Sequence, residues 1–209
     1  MKVKLARFCS NQRVCFVLLG LIGVGLPHAA FAAAAETTGS RLMVADFNQP
    51  GWRSNLGGAY GIWSKDPGDA TQSCIGRLVE DPRVGPAGFS LMMEYDVDSP
   101  NPAYNGFWMK LPDIPLKEYR YLTLALRGDA DREFTTRVKL ELKGRRRSAS
   151  FQLTGIKSDW VRMRIALDQF SGIQNIKAAN EFVIVFSDDV ADKKVGAVYL
   201  DEVAFEKAP

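Results

Sequence analysis

The sequence predicts an all-β protein, a β-sandwich of the jelly-roll type. Apolar and polar residues alternate along most of the chain, which is the period of a strand with one buried face. Eight or more such runs recur at short intervals, and glycine, proline, asparagine and aspartate lie between them. Helical periodicity is scarce, so we expect at most a turn or two of helix, within residues 168–180.

The first 32 residues have the features of a secretory signal peptide. A basic start is followed by the apolar run 14–26 and by "AFA" at 30–32, which predicts cleavage near Ala32. The run is shorter than the roughly 20 residues of a membrane-spanning helix. We therefore expect a periplasmic or secreted protein without a membrane attachment, a retained N-terminal anchor being the alternative. The predicted organisation is signal peptide 1–32, flexible leader 33–40 and one β-sandwich domain 41–209.

Cleavage changes the charge and the cysteine content. It removes four of the 27 basic residues and none of the 24 acidic ones, which leaves a net charge of −1. No positive field remains to attract nucleic acid or anionic lipid. The basic run "GRRRS", 144–148, is interpreted as a charged turn between strands rather than a phosphate site. Cys74 becomes the only cysteine, so an intramolecular disulfide is excluded, while burial or pairing between chains stays open.

The predicted mature chain contains no histidine, because His28 lies in the signal peptide. This excludes Ser-His-Asp catalysis, Cys-His catalysis and histidine-bound zinc. A pair of carboxylates would still serve a glycosidase. Glu94, Asp96 and Asp98 share one face of a strand whose other face is apolar, so we interpret them as solvent-facing. The prediction is a non-catalytic protein whose ligand affinity stays flat between about pH 5.5 and 8.

The strands are predicted from the alternating pattern in chain order. The segment from 134 to 154 is predicted to be a hairpin around the basic turn. Single strands are predicted at 42–47, 59–63, 89–97, 107–111, 121–127, 161–167, 181–186 and 195–205.

The stretch "SNLGGAYGIW", 54–63, is a candidate for a phosphate loop, a sugar platform or a tight turn. It lacks the spacing of phosphate loops, and no periodic helix follows it. Gly57 and Gly58 are expected to permit a turn with positive φ or a close approach of backbone. Tyr60 and Trp63 are three residues apart, so a regular strand would place one in the core and the other toward solvent or a ligand.

Four stretches resemble galactose-binding-like jelly rolls: "VADFNQPGW", "NGFWMKLP", "SDWVRMRIALDQF" and "VGAVYLDEVAF". Among these folds the chain is most similar to the family 11 carbohydrate-binding modules. The complex I intermediate-associated family shares the early "GG" loop and is the near competitor. The first resemblance implies a glycan partner, and the second implies a protein-interaction or assembly module. The resemblance covers nearly all of the predicted mature chain.

The resemblance to the carbohydrate-binding modules also implies a structural calcium ion. Asp46 and Asp201 occupy the positions where those modules carry calcium ligands near the first and last strands. Calcium prefers six to eight oxygen ligands, which suits carboxylates from strands adjoining in space. Asn48 departs from the pattern, since an acid is frequent there. The alternative is that both aspartates only bind backbone groups at strand ends.

The same resemblance places a sugar cleft around "NGFW", residues 105–108. Trp108, at a strand centre, is expected in the core. Val183 and Val185 stand where polar or aromatic cleft residues are frequent, so polar contacts would come from elsewhere, such as Arg137 or Asp188. Tyr104 is expected either to cap the cleft or to pack on the sandwich edge. The predicted ligand-binding residues are Tyr60, Trp63, Tyr104, Asn105, Phe107 and Arg137.

Binding would use aromatic stacking and hydrogen bonds in a shallow cleft, with dissociation constants weaker than micromolar. The alternative function, a protein-interaction module, would need a flat and exposed apolar surface. A groove lined by aromatic rings and polar groups would favour a sugar.

Overall fold

A computed structural model describes residues 37–38 and 40–208 as two antiparallel β-sheets packed face to face. This architecture confirms the predicted all-β jelly-roll sandwich. The predicted signal peptide, its cleavage site and most of the predicted leader lie outside the described residues. Within the part that is described, no helix has the length and apolar character needed to cross a membrane.

Residues 37–38 and 40–208 form twelve strands and three single turns of 3-10 helix. The turns are Leu116–Glu118, Leu167–Gln169 and Ile173–Asn175, and the last two overlap the segment predicted to hold short helical turns. The strands are β1 (Thr37–Thr38), β2 (Arg41–Ala45), β3 (Tyr60–Ser64), β4 (Ser73–Val79), β5 (Ser90–Asp96), β6 (Tyr104–Pro115), β7 (Tyr121–Gly128), β8 (Arg137–Lys143), β9 (Ser148–Thr154), β10 (Val161–Ala166), β11 (Ala178–Ser187) and β12 (Val195–Glu206).

The long last strand organises the seven-stranded sheet. One edge of β12 pairs with β5 over its first half and with β2 over its second half. Its other edge pairs with β7, which carries β10. β4 and β1 extend this sheet beyond β5 and β2. The five-stranded sheet has the order β3-β6-β11-β8-β9, with β11 at its centre.

The core lies between the sheets and is filled by the alternate residues of each strand. Tyr95 from one sheet stacks on Phe186 from the other, with ring centroids 4.2 Å apart and planes 5° from parallel. Phe107 is fully buried and lies edge-on to Phe47, at 6.2 Å. Side chains of this size contribute about 1.5 to 3 kcal/mol each through burial, so the aromatic layer is a large part of the stability.

Three segments differ from the sequence prediction. β4 was not predicted, because "SCIGRLV" includes small and polar residues. Gly76 explains part of that composition: a Cβ there would lie 2.5 Å from a side-chain carbon of Ile62, so the inward face of β4 has little room. β8 begins at Arg137 rather than at 134, and Thr37–Thr38, inside the predicted leader, pair with β2.

The glycine pair before β3 forms a tight turn, as predicted. Gly57 has a φ of 80°, and the backbone N–H of Ser54 donates to the carbonyl of Gly58 at 2.8 Å. A Cβ at Gly58 would lie 2.1 Å from the carbonyl oxygen of Lys110, so only glycine allows β6 to approach. The turn fixes where β3 begins and therefore which face each of its side chains occupies.

Candidate functional site

The outer face of the five-stranded sheet carries a regular array of side chains, which the strand register aligns in rows. One row runs from Gly61 through Trp108 and Val183 to Glu141, and the next runs from Trp63 through Gly106 and Val185 to Lys139. A third row joins Lys110, Glu181 and Lys143. In the first two rows, aromatic residues lie on one side of the sheet, valines at its centre and charged residues on the other side, whereas the third row is charged throughout.

These rows form a groove of about 360 Å³. Its floor is made by Val183 and Val185, which are 2% and 3% exposed. Gly106 leaves a gap between Trp63 and Val185, and a Cβ there would lie 2.0 Å from the carbonyl oxygen of Ile184. The lining residues are Trp63, Tyr104, Trp108, Lys139, Glu141, Lys143, Glu181, Val183 and Val185.

The aromatic wall of the groove has two parts. The ring of Trp108 lies over Gly61 on the neighbouring strand, and a Cβ at Gly61 would lie 3.1 to 3.2 Å from the indole atoms. Tyr104, which is 40% exposed, meets Trp63 edge-to-face with ring centroids 5.8 Å apart. The ammonium of Lys65 lies 5.2 Å from the Tyr104 ring centroid. Neighbouring residues thus fix the rings in place.

The opposite wall consists of ion pairs. Glu181 accepts hydrogen bonds from Lys110 and from Lys143, the latter at 2.9 Å. Burial alone would raise the pKa of Glu181, but the bonds from both lysines outweigh it and lower that pKa. Glu141 pairs with Lys139 at 3.0 Å. The groove therefore offers carboxylate acceptors and ammonium donors that are already oriented by one another.

Three of the six predicted binding residues do not reach this face. Tyr60 is 3% exposed and packs in the core against Phe47 and Phe107, with which it forms edge-on and tilted ring contacts. Phe107 is fully buried, as described above. Asn105 is also fully buried, and its side-chain amide donates to the carbonyls of Ser73 and Asp96 at 2.8 and 2.7 Å. Asn105 therefore ties β6 to the other sheet, and the prediction of ligand contacts by these three residues is corrected.

The other predicted residues lie on the outer face. Trp63 and Tyr104 line the groove, and Tyr104 is the first residue of β6. Arg137 is exposed two residues before Lys139 on β8, beyond the groove lining. Trp108, expected in the core, instead faces outward, because Phe107 takes the inward position and successive residues of a strand alternate.

The resemblance placed Val183 and Val185 at cleft positions, and both line the groove, but sequence reasoning missed the charged wall. The alternation of "RVKLELK" in β8 was recognised, but nothing in it assigned the charged set to a groove. The groove arises because β8 lies beside β11, and that pairing joins residues about 40 positions apart.

Asp46 follows the last residue of β2, and Asp201 lies on β12, which pairs with β2 through Val203 and Ala45. Desolvation is the main cause that raises the Asp201 pKa to about 6. The Asp201 carboxylate accepts backbone N–H groups of Val84 and Glu202 at 2.9 and 2.7 Å. The Asp46 carboxylate accepts the N–H of Asn48 at 3.1 Å. Both aspartates thus make the backbone contacts that were the alternative to calcium.

The backbone is unusual directly after each of these aspartates. Phe47 has a φ of 58° and Glu202 a φ of 50°, values that non-glycine residues rarely adopt. Within residues 37–38 and 40–208, no group of three or more His, Cys, Asp or Glu side chains is arranged to hold a metal ion. A cation here would therefore depend on two carboxylates, supplemented by backbone carbonyls and water.

Comparison with solved structures identifies the fold. The chain superposes on the family 11 carbohydrate-binding module of the cellulosomal cellulase Lic26A-Cel5E of Clostridium thermocellum with a TM-score of 0.58 and 14% identity, covering 80% of this chain and 95% of that one. A family 11 module from the same organism, solved in complex with a β-1,3-1,4-mixed-linked tetrasaccharide, gives 0.59 and 14%, covering 81% and 96%.

A more distant similarity links the chain to a family 30 carbohydrate-binding module of the cellulosomal cellulase Cel9D-Cel44B of Clostridium thermocellum. The TM-score is 0.51 and the identity 16%, over 70% of this chain and 91% of that one. No protein-family model matches the sequence, and no curated protein matches it by sequence. The chain therefore has the jelly-roll fold of these modules.

Proposed function

We propose that this protein is a non-catalytic carbohydrate-binding module that binds a polysaccharide or oligosaccharide in the groove of its five-stranded sheet. The observation that carries the proposal is the groove itself, with aromatic rings on one wall and oriented charged groups on the other. The shared fold supports it, since one of the similar modules was solved with a bound tetrasaccharide.

The aromatic wall would supply the stacking contacts. The C–H groups of a sugar ring pack on an aromatic face, and both Tyr104 and Trp108 border the groove. Trp108 is already packed against Gly61, so little side-chain entropy is lost when a ligand covers its other face. Tyr104 has the exposed area for a second contact.

The ionic wall would supply the polar contacts. Sugar hydroxyls both donate and accept hydrogen bonds, and Glu141, Glu181, Lys139 and Lys143 present acceptors and donors in fixed positions. Hydrogen bonds to charged groups are stronger than neutral ones. These residues replace the polar contacts that the sequence had assigned to Arg137 or Asp188.

The carboxylates of the groove do not fit a glycosidase. Such an enzyme needs one carboxyl group whose pKa is raised, so that it is protonated and acts as general acid. Two lysines hold the pKa of Glu181 below its ordinary range, and Glu141 is paired with Lys139. Glu94, on the other sheet, is paired with Arg77 and Arg132 at 2.7 and 2.6 Å. These pairings support binding without catalysis.

The alternative function, a protein-interaction module, would use a broad apolar surface. The large hydrophobic residues that are exposed between residues 40 and 208 are four: Ile75, Phe89, Tyr104 and Val195. Tyr104 belongs to the groove, and Phe89 lies in the loop before β5. Interfaces of standard size bury roughly 800 Å² on each partner, with an apolar centre. The groove therefore favours the glycan.

We also propose that calcium binds at Asp46 and Asp201. The support is a desolvated carboxylate beside a second one, each followed by a residue in a strained backbone conformation. A bound cation would offset the desolvation of Asp201 and hold β2 against the bulge in β12. The proposed location, periplasmic or secreted, rests on the signal peptide in the sequence.

The test is retention of the protein on a panel of soluble and insoluble polysaccharides, with calcium present. We expect binding to at least one polymer, reduced by at least about tenfold, or roughly 1.4 kcal/mol, in Trp108→Ala and in Tyr104→Ala. Phe89→Ala is the matched control, because it removes an exposed aromatic side chain outside the groove. A folded protein that binds none of the polymers would refute the proposal.

A further inference from the structure

We propose that the groove takes an anionic polysaccharide, whose carboxylate or sulfate groups bind a cluster of arginines at the end of the groove. This inference rests on the proposed function, since it names the class of glycan. It comes from a second cleft, of about 530 Å³, beside the turn that joins β8 to β9.

The second cleft, here called the basic cleft, is dominated by positive charge. Four basic residues line it, and Asp113 is the one acidic residue among the lining residues, which leaves an excess of three positive charges. The basic residues are Arg145, Arg146, Arg147 and Lys177. The predicted mature chain has a net charge of −1, so this excess is a local concentration rather than a general property.

Two of the arginines are available for a ligand. Arg145 pairs with Asp113 at 3.1 Å, across the intervening strand β11. Among residues 40–208, no carboxylate lies within 4.0 Å of the guanidinium groups of Arg146 or Arg147. Both are exposed, on a turn closed by the N–H of Gly144 and the carbonyl of Arg147 at 2.8 Å. The turn holds cations together that would otherwise repel one another.

The basic cleft continues the groove. Lys143 lines the groove, and Gly144, the next residue, lines the basic cleft. On β11, Ala178 lines the basic cleft and Glu181 the groove. Glu141 lies in the same row as Trp108, with Val183 between them. The chain advances four residues from Glu141 to Arg145, past the end of β8 at Lys143, and four residues span at most about 13 Å. A polymer that stacks on Trp108 therefore reaches the arginines within a few sugar units.

The chemistry of the cleft selects the ligand. A guanidinium group binds carboxylate or sulfate with two parallel hydrogen bonds, and it keeps its charge at every physiological pH. Uronic-acid polymers and sulfated polymers both present such groups at regular intervals. A neutral glucan would leave the arginines without an ionic partner and would use only the groove.

The experiment compares three polymers: neutral mixed-linkage β-glucan, polygalacturonate and dextran sulfate. Affinity is measured for the unaltered chain, for Arg146→Gln combined with Arg147→Gln, and for Lys157→Gln combined with Lys207→Gln. The second pair removes the same charge from exposed sites outside the groove and the basic cleft. The affinities are measured again at salt concentrations from about 0.01 M to 1 M, over which the screening length falls from about 30 Å to about 3 Å. Ionic contacts weaken over this range and stacking contacts do not, so the series separates the two.

We expect at least one anionic polymer to bind about tenfold more tightly than the neutral glucan at low salt. The arginine variant should lose that preference and keep its affinity for the glucan, while the lysine variant should keep both. Preference for polygalacturonate would identify carboxylate as the ligand, and preference for dextran sulfate would identify sulfate.

Equal binding of neutral and anionic polymers, unaffected by the arginine substitutions, would overturn the inference and leave the proposed function intact. An equal loss in the lysine variant would also overturn it, because the effect would then reflect overall charge. Failure to bind any of these polymers or the wider panel would count against the proposed function itself.

Discussion

The indole ring of Trp108 lies over Gly61, its register partner on the adjacent strand β3. A Cβ at that position would lie 3.1 Å from the ring, so any larger residue would push the indole outward. A residue without a side chain on one strand thus sets the position of an aromatic residue on the next, in the aromatic wall of the proposed binding groove.

Replacing that glycine should disturb binding more than folding. Gly61→Val places two methyl groups against the indole, so Trp108 must leave its position over β3, and we expect a loss of glycan affinity of at least tenfold, or about 1.4 kcal/mol. Stability should change little, because valine favours strands. Calorimetric titration and thermal unfolding measure the two effects. Unchanged affinity in a folded Gly61→Val variant would contradict this role for the contact.

Phe107 and Trp108 are adjacent in sequence and should respond oppositely to substitution. Phe107→Ala opens a cavity in the core and should cost about 3 to 5 kcal/mol of unfolding free energy, as measured by denaturant titration. Trp108→Ala should lower stability much less and abolish most of the stacking. If Phe107→Ala lowered affinity in protein that remained fully folded, while Trp108→Ala did not, the assignment of their faces would be wrong.

Calcium should raise the stability of the protein, and more so at pH 7 than at pH 5. Desolvation raises the folded-state pKa of Asp201 to about 6, above its ordinary value near 4. Its contribution to stability is therefore present below about pH 4 and is lost as the pH rises through 6. A bound cation favours the carboxylate and reverses that loss. Melting temperatures with calcium and with a chelator at both pH values test this; equal values would argue against the site.

Cys74 should be unreactive in the folded protein. Burial raises the pKa of its thiol to about 12, so the thiolate that reacts with disulfides and alkylating reagents is scarce at neutral pH. A thiol-specific reagent should modify Cys74 only after the protein is denatured. Rapid labelling of the native protein, or a disulfide-linked dimer on a non-reducing gel, would show that the thiol is accessible.

The sequence alone identified most of the strands and the fold. In residues 89–97, the apolar face was expected to consist of Phe89, Leu91, Met93, Tyr95 and Val97. The last four are buried, whereas Phe89 lies before β5 and is 37% exposed. The tight turn at Gly57 and Gly58 was also expected. These features are local, since strand periodicity and glycine conformations are set by neighbours in the chain.

The candidate site was predicted less well, and β6 shows why. Its two faces carry similar residues: Asn105 and Phe107 point inward, whereas Tyr104 and Trp108 point outward. The inward face includes a polar residue, Asn105, and the outward face includes two aromatic residues, Tyr104 and Trp108. The alternating pattern therefore does not say which face is buried. A shift of one residue exchanges the faces completely.

The sequence by itself determined the sandwich, its strands and the turns between them, because these depend on periodicity and on local backbone freedom. Only the tertiary structure decided which aromatic residues face outward, and that Val183 and Val185 floor a groove beside Lys139 and Glu141. The physical reason is that the pairing of β11 with β6 and β8 brings together residues far apart in the chain. Packing of one sheet on the other then fixes which side of that array is exposed to a ligand.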